Sequence, residues 1–183
     1  INKNINANLI YIYDTNNSVA NKFASKFNCK IADINSIKND KNIDAVVICS
    51  PTNTHIDLIK NFSKVKKAIF CEKPIDLNIK KVRRCLTIIE KNNINFMIGF
   101  NRRFDPHFLT LKKSIEEGKI GDVEILILTS RDPGLPPVQY LKNSGGLFKD
   151  MTIHDFDMAA FLLDELPTEI YSTASVLVDQ KLK

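Results

Sequence analysis

A chain of 183 residues, 44% hydrophobic and 26% charged, is long enough to bury a core and has the composition of a globular protein, which excludes a disordered polymer. Its net charge of +5 comes from lysines scattered along the chain, with no arginine-rich patch interleaved with aromatics, so weak attraction to anions follows and a nucleic-acid partner does not. No apolar run reaches membrane-spanning length, and Cys29, Cys49, Cys71 and Cys85 form neither a CxxC pair nor a zinc spacing; lying in or beside apolar runs, they read as buried reduced thiols of a reducing, cytoplasmic compartment.

In chain order, Leu9 to Tyr13 is a short β-rich run ending at Asp14. Asn16, Asn17 and Ser18 can cap a helix through Val19 to Phe27, and a weak strand is expected at Cys29 to Ile31. Asp44 to Cys49 is a continuous apolar run of the kind buried on both faces in a parallel sheet. Ser50 to Thr54 is a turn and cap leading into a helix to Phe62, and Ala68 to Cys71 is the next strand. Asn78 caps a helix to Lys91, and Ile94 to Ile98 is a further strand closed by Gly99. Strands separated by helices predict βαβ crossovers and an α/β, doubly wound parallel sheet of the Rossmann type. A helix is then expected from Asp105 to Glu117, a turn at Gly118 and Gly121, and a strand from Val123 to Thr129. Arg131 to Gly146 is a long loop holding Pro133, Pro136 and Pro137; a helical pattern follows from Leu147, and a last strand begins within Thr168 to Val178.

Ligands of open α/β sheets bind at the carboxyl ends of the strands, and several polar residues stand there. Asp14 suits the two ribose hydroxyls of an adenosine and would repel a 2′-phosphate, favouring NAD over NADP; it is equally an ordinary turn residue. Ser50, Pro51, Asn53 and His55 open a helix whose N–H groups suit a phosphate or ribose, with His55 alternatively a partly buried helix residue. Glu72 and Lys73 end the following strand, where Pro74 holds Lys73 extended. Asp150 and His154 are four apart, which on one helix sets carboxylate and imidazole a turn apart on one face. That pair suits proton transfer near neutral pH; a surface ion pair is the alternative, and a metal pair ranks last because no third ligand is near.

Four motifs occur in order: Glu72-Lys73-Pro74 after a strand; Gly99-Phe100-Asn101-Arg102-Arg103-Phe104-Asp105-Pro106; Ser130-Arg131-Asp132-Pro133; and Ser144-Gly145-Gly146 running through Asp150, His154 and Asp155 to Asp157. Together they resemble the glucose-fructose oxidoreductase/inositol dehydrogenase family (Gfo/Idh/MocA), in particular its inositol 2-dehydrogenase branch, over nearly the whole chain. The resemblance implies a dinucleotide-binding domain over residues 1–100 and an α+β substrate domain over residues 101–183, the latter built on an open, mostly antiparallel sheet. It implies an NAD-dependent dehydrogenase, without a metal, that oxidises a hydroxyl of a cyclic polyol or sugar to a ketone, with myo-inositol the foremost substrate. The assembly it implies is a homo-oligomer, a tetramer, with no nucleic-acid or membrane partner.

Residue by residue, the resemblance makes Lys73, Asp150 and His154 the catalytic set. His154 would be the general base, Asp150 would bind a neighbouring hydroxyl and tune the imidazole, and Lys73 would hold the reacting oxygen. NAD would lie against Asp14, Ser50, Pro51, Asn53, His55, Glu72, Lys73, Asn101 and Arg102. The polyol would lie against Lys73, Arg131, Asp132, Asp150 and His154. A non-catalytic dinucleotide- or sugar-binding relative is the alternative, as is a non-functional fragment. The family opens with a strand and a glycine-rich turn, whereas the first glycine here is Gly99. The chain therefore reads as an interior fragment, with a first βα unit and a C-terminal part of the substrate domain outside it.

Overall fold

The computed structural model describes Ile1 and residues 3–179, and the chain divides into two compact units. The first comprises Ile1–Phe100 with Pro136–Asp150; the second comprises Asn101–Leu135 and the chain from Met151 onward.

The first unit alternates short strands with helices. β1 (Tyr11–Ile12), α1 (Asn17–Phe27), β2 (Lys30–Ile31) and α2 (Ile34–Asn39) come first. β3 (Ala45–Ile48), α3 (Thr52–Ser63), β4 (Ala68–Cys71), α4 (Ile79–Asn92) and β5 (Phe96–Ile98) follow. Every ladder is parallel: β1 pairs with β2, and β3, β4 and β5 lie side by side in that order. The helix starts are written locally. Asn16 Oδ1 accepts the N–H groups of Ser18 and Val19, and Asn78 Oδ1 accepts that of Lys80. Asn28 and Asn93 close α1 and α4 at φ 50° and 48°, a left-handed conformation that asparagine tolerates better than most side chains. α2 is absent from the sequence reading; six residues are too few to show a helical period, and its start rests on Asp33, whose Oδ1 accepts the Ser36 N–H.

The core lies on one face of the three-stranded sheet. Ile56, Ile59 and Phe62 of α3 and Cys85 and Ile89 of α4 pack with Val46, Ile48, Ile69 and Cys71 from the strands. The register puts Val47, Phe70 and Met97 in one cross-strand row on the other face. Val47 is 48% exposed and Met97 42%, so β3 is buried on one face only among the described residues, not on both as its apolar run suggests. Two of the four cysteines also depart from the sequence reading. Cys71 and Cys85 are buried, and burial pushes the Cys71 thiol up to about 12, whereas Cys29 is half-buried and Cys49 exposed. Lys67 is buried with its ammonium donating to the carbonyls of Asp40 and Ile43, both at 2.7 Å, which satisfies the turn after α2.

The long segment expected as loop contains α6 (Val138–Ser144), and α7 (Leu147–Asp150) follows it; both belong to the first unit. The second unit holds a 3₁₀ turn (Asn101–Phe104), α5 (Pro106–Glu116) and α8 (Ile153–Leu163). Asp105 caps α5 by accepting the His107 N–H at 2.8 Å, with Pro106 at the first helical position. The strands expected at 123–129 and within 168–178 have no ladder partner among the described residues. Residues 125–130 keep the burial alternation of a strand, with Ile125 and Ile127 turned outward, but alternation without a hydrogen-bonded neighbour does not make a sheet.

Ile59 is fully buried between sheet and helices, so Ile59→Ala should cost about 2–5 kcal/mol of unfolding free energy, read from the urea midpoint at unchanged slope. The exposed Lys22→Ala should stay within about 0.5 kcal/mol of the unaltered chain.

Candidate active site

The strand ends of the first unit carry most of the residues singled out by sequence. Asp14 follows β1 and is exposed; its Oδ1 accepts the Asn16 N–H at 2.7 Å, an Asx turn leading into α1. After β3, Ser50 Oγ lies 2.6 Å from Thr54 Oγ1, and the Pro51 carbonyl accepts both the N–H and the hydroxyl of Thr54. α3 opens at Pro51 without a side-chain cap, and Asn53 is exposed on its first turn.

His55 faces inward and is 1% exposed. Its Nδ1 lies 2.9 Å from the Pro74 carbonyl oxygen and its Nε2 2.8 Å from that of Ser50. The imidazole thus joins the loop after β3 to the loop after β4, and a ring proton on either nitrogen donates to a strand-end carbonyl. The ring has no edge turned to solvent. Glu72, half-buried, accepts the Lys73 N–H through Oε2 at 3.3 Å. A Cβ on Gly99, just after β5, would stand 2.9 Å from that same oxygen, so a side chain there would oblige the carboxylate to move.

Lys73 and Asp150, 77 positions apart, meet here. Lys73 Nζ donates to Asp150 Oδ1 at 2.9 Å and to the Asp150 carbonyl at 2.7 Å, and both side chains are 18% exposed. That carbonyl is the one a continuous helix would offer to the His154 N–H. The His154 N–H bonds instead to Met151 O at 3.1 Å, and the helix breaks at Met151 and Thr152. Asp150 ends α7 and His154 stands in the first turn of α8, so the single helix face expected from their spacing does not exist. Tyr140 of α6, absent from the sequence reading, donates its hydroxyl to the same Asp150 Oδ1 at 2.7 Å. Withdrawal of that hydroxyl from water and its bond to Asp150 push the phenol up to about 12, so near neutral pH it is a donor. The one signal in the sequence is a tyrosine just after Pro136 and Pro137, in a segment too long for an idle loop.

In the second unit, Arg102 Nη1 donates to Asp155 Oδ1 at 2.6 Å, and Ser130 Oγ donates to the same oxygen at 2.6 Å. Arg103 grips both oxygens of Asp157 at 2.7–3.1 Å and lies 5.3 Å from the centre of the Phe161 ring; its hydrogen bond to Asp157 raises it further above the usual guanidinium range. Asp155 and Asp157 thus tether α8 to the 3₁₀ turn. Asn101 is exposed on that turn. Arg131 and Asp132 are exposed too, and their side chains make no hydrogen bond or ion pair among the described residues.

Residues 1–100 match the family described as "Oxidoreductase family, NAD-binding Rossmann fold", and residues 108–182 match the "GFO/IDH/MocA C-terminal domain". The chain is 50% identical over 182 residues to an inositol 2-dehydrogenase of Rhizobium meliloti, covering all of this chain and 55% of that protein. It resembles the crystal structure of a myo-inositol dehydrogenase from Corynebacterium glutamicum with TM-score 0.83 and 40% identity, over 88% of this chain and 49% of the other. A scyllo-inositol dehydrogenase from Lactobacillus casei, crystallised with bound NAD(H) and scyllo-inositol, matches with TM-score 0.73 and 28% identity, over 88% of this chain and 50% of that one. The chain spans about half the length of the relatives it matches.

Because His55 fills a buried site between two loops, His55→Ala should lower stability by about 2–4 kcal/mol, combining an unpaired buried carbonyl with a cavity. Urea denaturation measures this loss.

Proposed function

The chain belongs to the Gfo/Idh/MocA oxidoreductase family, and from that premise we propose that the full-length protein oxidises a ring hydroxyl of a cyclic polyol, foremost myo-inositol, to a ketone with NAD. The observation that carries the proposal is the meeting of Lys73 and Asp150 at 2.9 Å from 77 positions apart, beside a tyrosine hydroxyl. Ammonium, carboxylate and phenol together offer donors and acceptors suited to a molecule made of hydroxyls. The reading is also supported by the names of the relatives, inositol dehydrogenases among them.

The residues present fit a dinucleotide. α3 opens with no side-chain cap, leaving its first N–H groups for a phosphate or ribose, and Asp14 presents an exposed carboxylate at the end of β1. Asp14, Ser50, Pro51, Asn53 and Glu72 would hold the nucleotide, and Asn101 and Arg102 are the further nucleotide contacts that the family resemblance implies. When bound, the nicotinamide supplies the hydride acceptor. Lys73 holds the reacting oxygen and stabilises the negative charge that grows on it. Asp150 accepts a hydrogen bond from a neighbouring hydroxyl, and His154 takes the proton of the hydroxyl being oxidised. Arg131 and Asp132, both exposed, are the further polyol contacts. The proposal includes a cytoplasmic homo-oligomer, a tetramer, which light scattering of the full-length protein tests.

In the full-length protein, NAD reduction should follow addition of myo-inositol, and His154→Ala should lower kcat by about 10²–10⁴-fold with NAD affinity retained. Lys73→Ala should reduce turnover at least as far. Unchanged turnover in His154→Ala removes the general base from this account. NADP should serve poorly, since Asp14 would face its 2′-phosphate; equal rates with the two nucleotides would refute that part.

A further inference from the structure

The Asp150 carboxylate is used unevenly. Lys73 Nζ and the Tyr140 hydroxyl both donate to Oδ1, at 2.9 and 2.7 Å, and among the described residues Oδ2 accepts no hydrogen bond. A carboxylate oxygen has two lone-pair sites, so Oδ1 is filled and Oδ2 keeps both of its own. With Lys73 alone, rotation about the carboxyl bond would let the ammonium reach either oxygen. The second donor removes that freedom.

Tyr140 does not reach Asp150 by chance of a loose loop. The segment that carries it is stitched to the chain just after Lys73 at two further places. Lys149 Nζ donates to the Leu77 carbonyl at 3.1 Å. Gly145, at φ 86°, closes α6 in van der Waals contact with Leu77: a Cβ there would stand 2.6 Å from Leu77 Cδ2. Ser144, 7% exposed, ties the turn internally through the Leu141 carbonyl.

We propose that Tyr140 is a positioning residue of the dehydrogenase: it occupies Asp150 Oδ1 together with Lys73, so that Oδ2 is held open and oriented as the acceptor for a hydroxyl of the polyol. This rests on the function proposed above, which assigns substrate hydroxyls to Asp150. Tyr140 acts through the carboxylate and touches neither nucleotide nor reacting carbon. A neutral donor to a charged acceptor contributes about 1.5–3 kcal/mol, equivalent to about 10–100-fold in affinity.

The test is steady-state kinetics of the full-length protein with myo-inositol and NAD. Tyr140→Phe should raise KM for the polyol about 10–100-fold, with kcat changed less than about threefold and NAD affinity by calorimetry unchanged. In an Asp150→Asn background the same substitution should add less than about threefold, because its only route of action has been removed. Unchanged kinetics in Tyr140→Phe, full additivity with Asp150→Asn, or weakened NAD binding would each overturn the proposal. A second measurement needs no turnover. Ultraviolet titration of tyrosinate, assigned by difference against Tyr140→Phe, should place the Tyr140 phenol near 12 and bring it toward the ordinary 10 in Asp150→Asn. If the unaltered protein oxidises no polyol, the functional reading fails. Were the phenol then to titrate near 10 with Asp150 intact, the positioning of the carboxylate would fail with it; a value near 12 that falls in Asp150→Asn would uphold the positioning alone.

Discussion

The capture of Asp150 by Lys73 is the interaction on which the candidate site depends. One ammonium takes two acceptors of the same residue, its carboxylate and its main-chain carbonyl. Charge-assisted bonds of this kind are stronger than neutral ones, and in a half-buried setting water competes with them less. The Asp150 carbonyl stands where the helix breaks, so it has no helical N–H partner and the Lys73 ammonium supplies one. α7 stops at Asp150, and the chain passes into the second unit before α8 begins. The same capture fastens residues 136–150 to the first unit and delivers Tyr140 to the carboxylate.

Lys73 can do this because its own backbone is held from two sides. His55 reaches from α3 to the Pro74 carbonyl, and Glu72 accepts the Lys73 N–H. Neither contact is optional for its neighbours. The imidazole is buried, so its N–H needs an acceptor, and the carbonyls of Ser50 and Pro74 stand in reach. The Glu72 carboxylate lies over Gly99, where a Cβ would stand 2.9 Å from its Oε2 and oblige it to shift. His55, read from sequence as a possible nucleotide contact, is better placed to brace the two loops than to meet a ligand, since it is almost wholly withdrawn from solvent.

The second unit solves a comparable problem with arginine. Asp155 and Asp157 are two apart on α8, so their side chains diverge by about 200° around the helix. Adjacent Arg102 and Arg103 grip them separately, the second through a two-pronged pair that also covers Phe161. The planar, always-charged guanidinium suits such pairs better than an ammonium would. His154 stands next to Asp155, so its placement in the first turn of α8 rests on these tethers.

The sequence by itself determined the order of the five strands and of α1, α3 and α4 in the first unit, because apolar runs, asparagine caps and turn prolines act over a few residues, while the short α2 and α6 escaped it. It also determined the family, through motifs that keep their order, and it brought Lys73, Asp150 and His154 to attention. It misjudged what depends on partners distant in the chain. The spacing of Asp150 and His154 matches one helical turn, but spacing cannot register that the helix breaks at Met151 and Thr152 between them. The alternation at 125–130 matches a strand, but whether a strand forms depends on a neighbour that local pattern does not specify. Tyr140 carried almost no local signal, since a tyrosine in a proline-flanked segment is ordinary until the fold sets its hydroxyl 2.7 Å from a carboxylate ten residues on. Local sequence decides which elements form, because caps and periodicity act within a turn or two. Only the tertiary structure decides which acceptor each buried donor takes, because that competition is settled between groups the chain brings together from far apart.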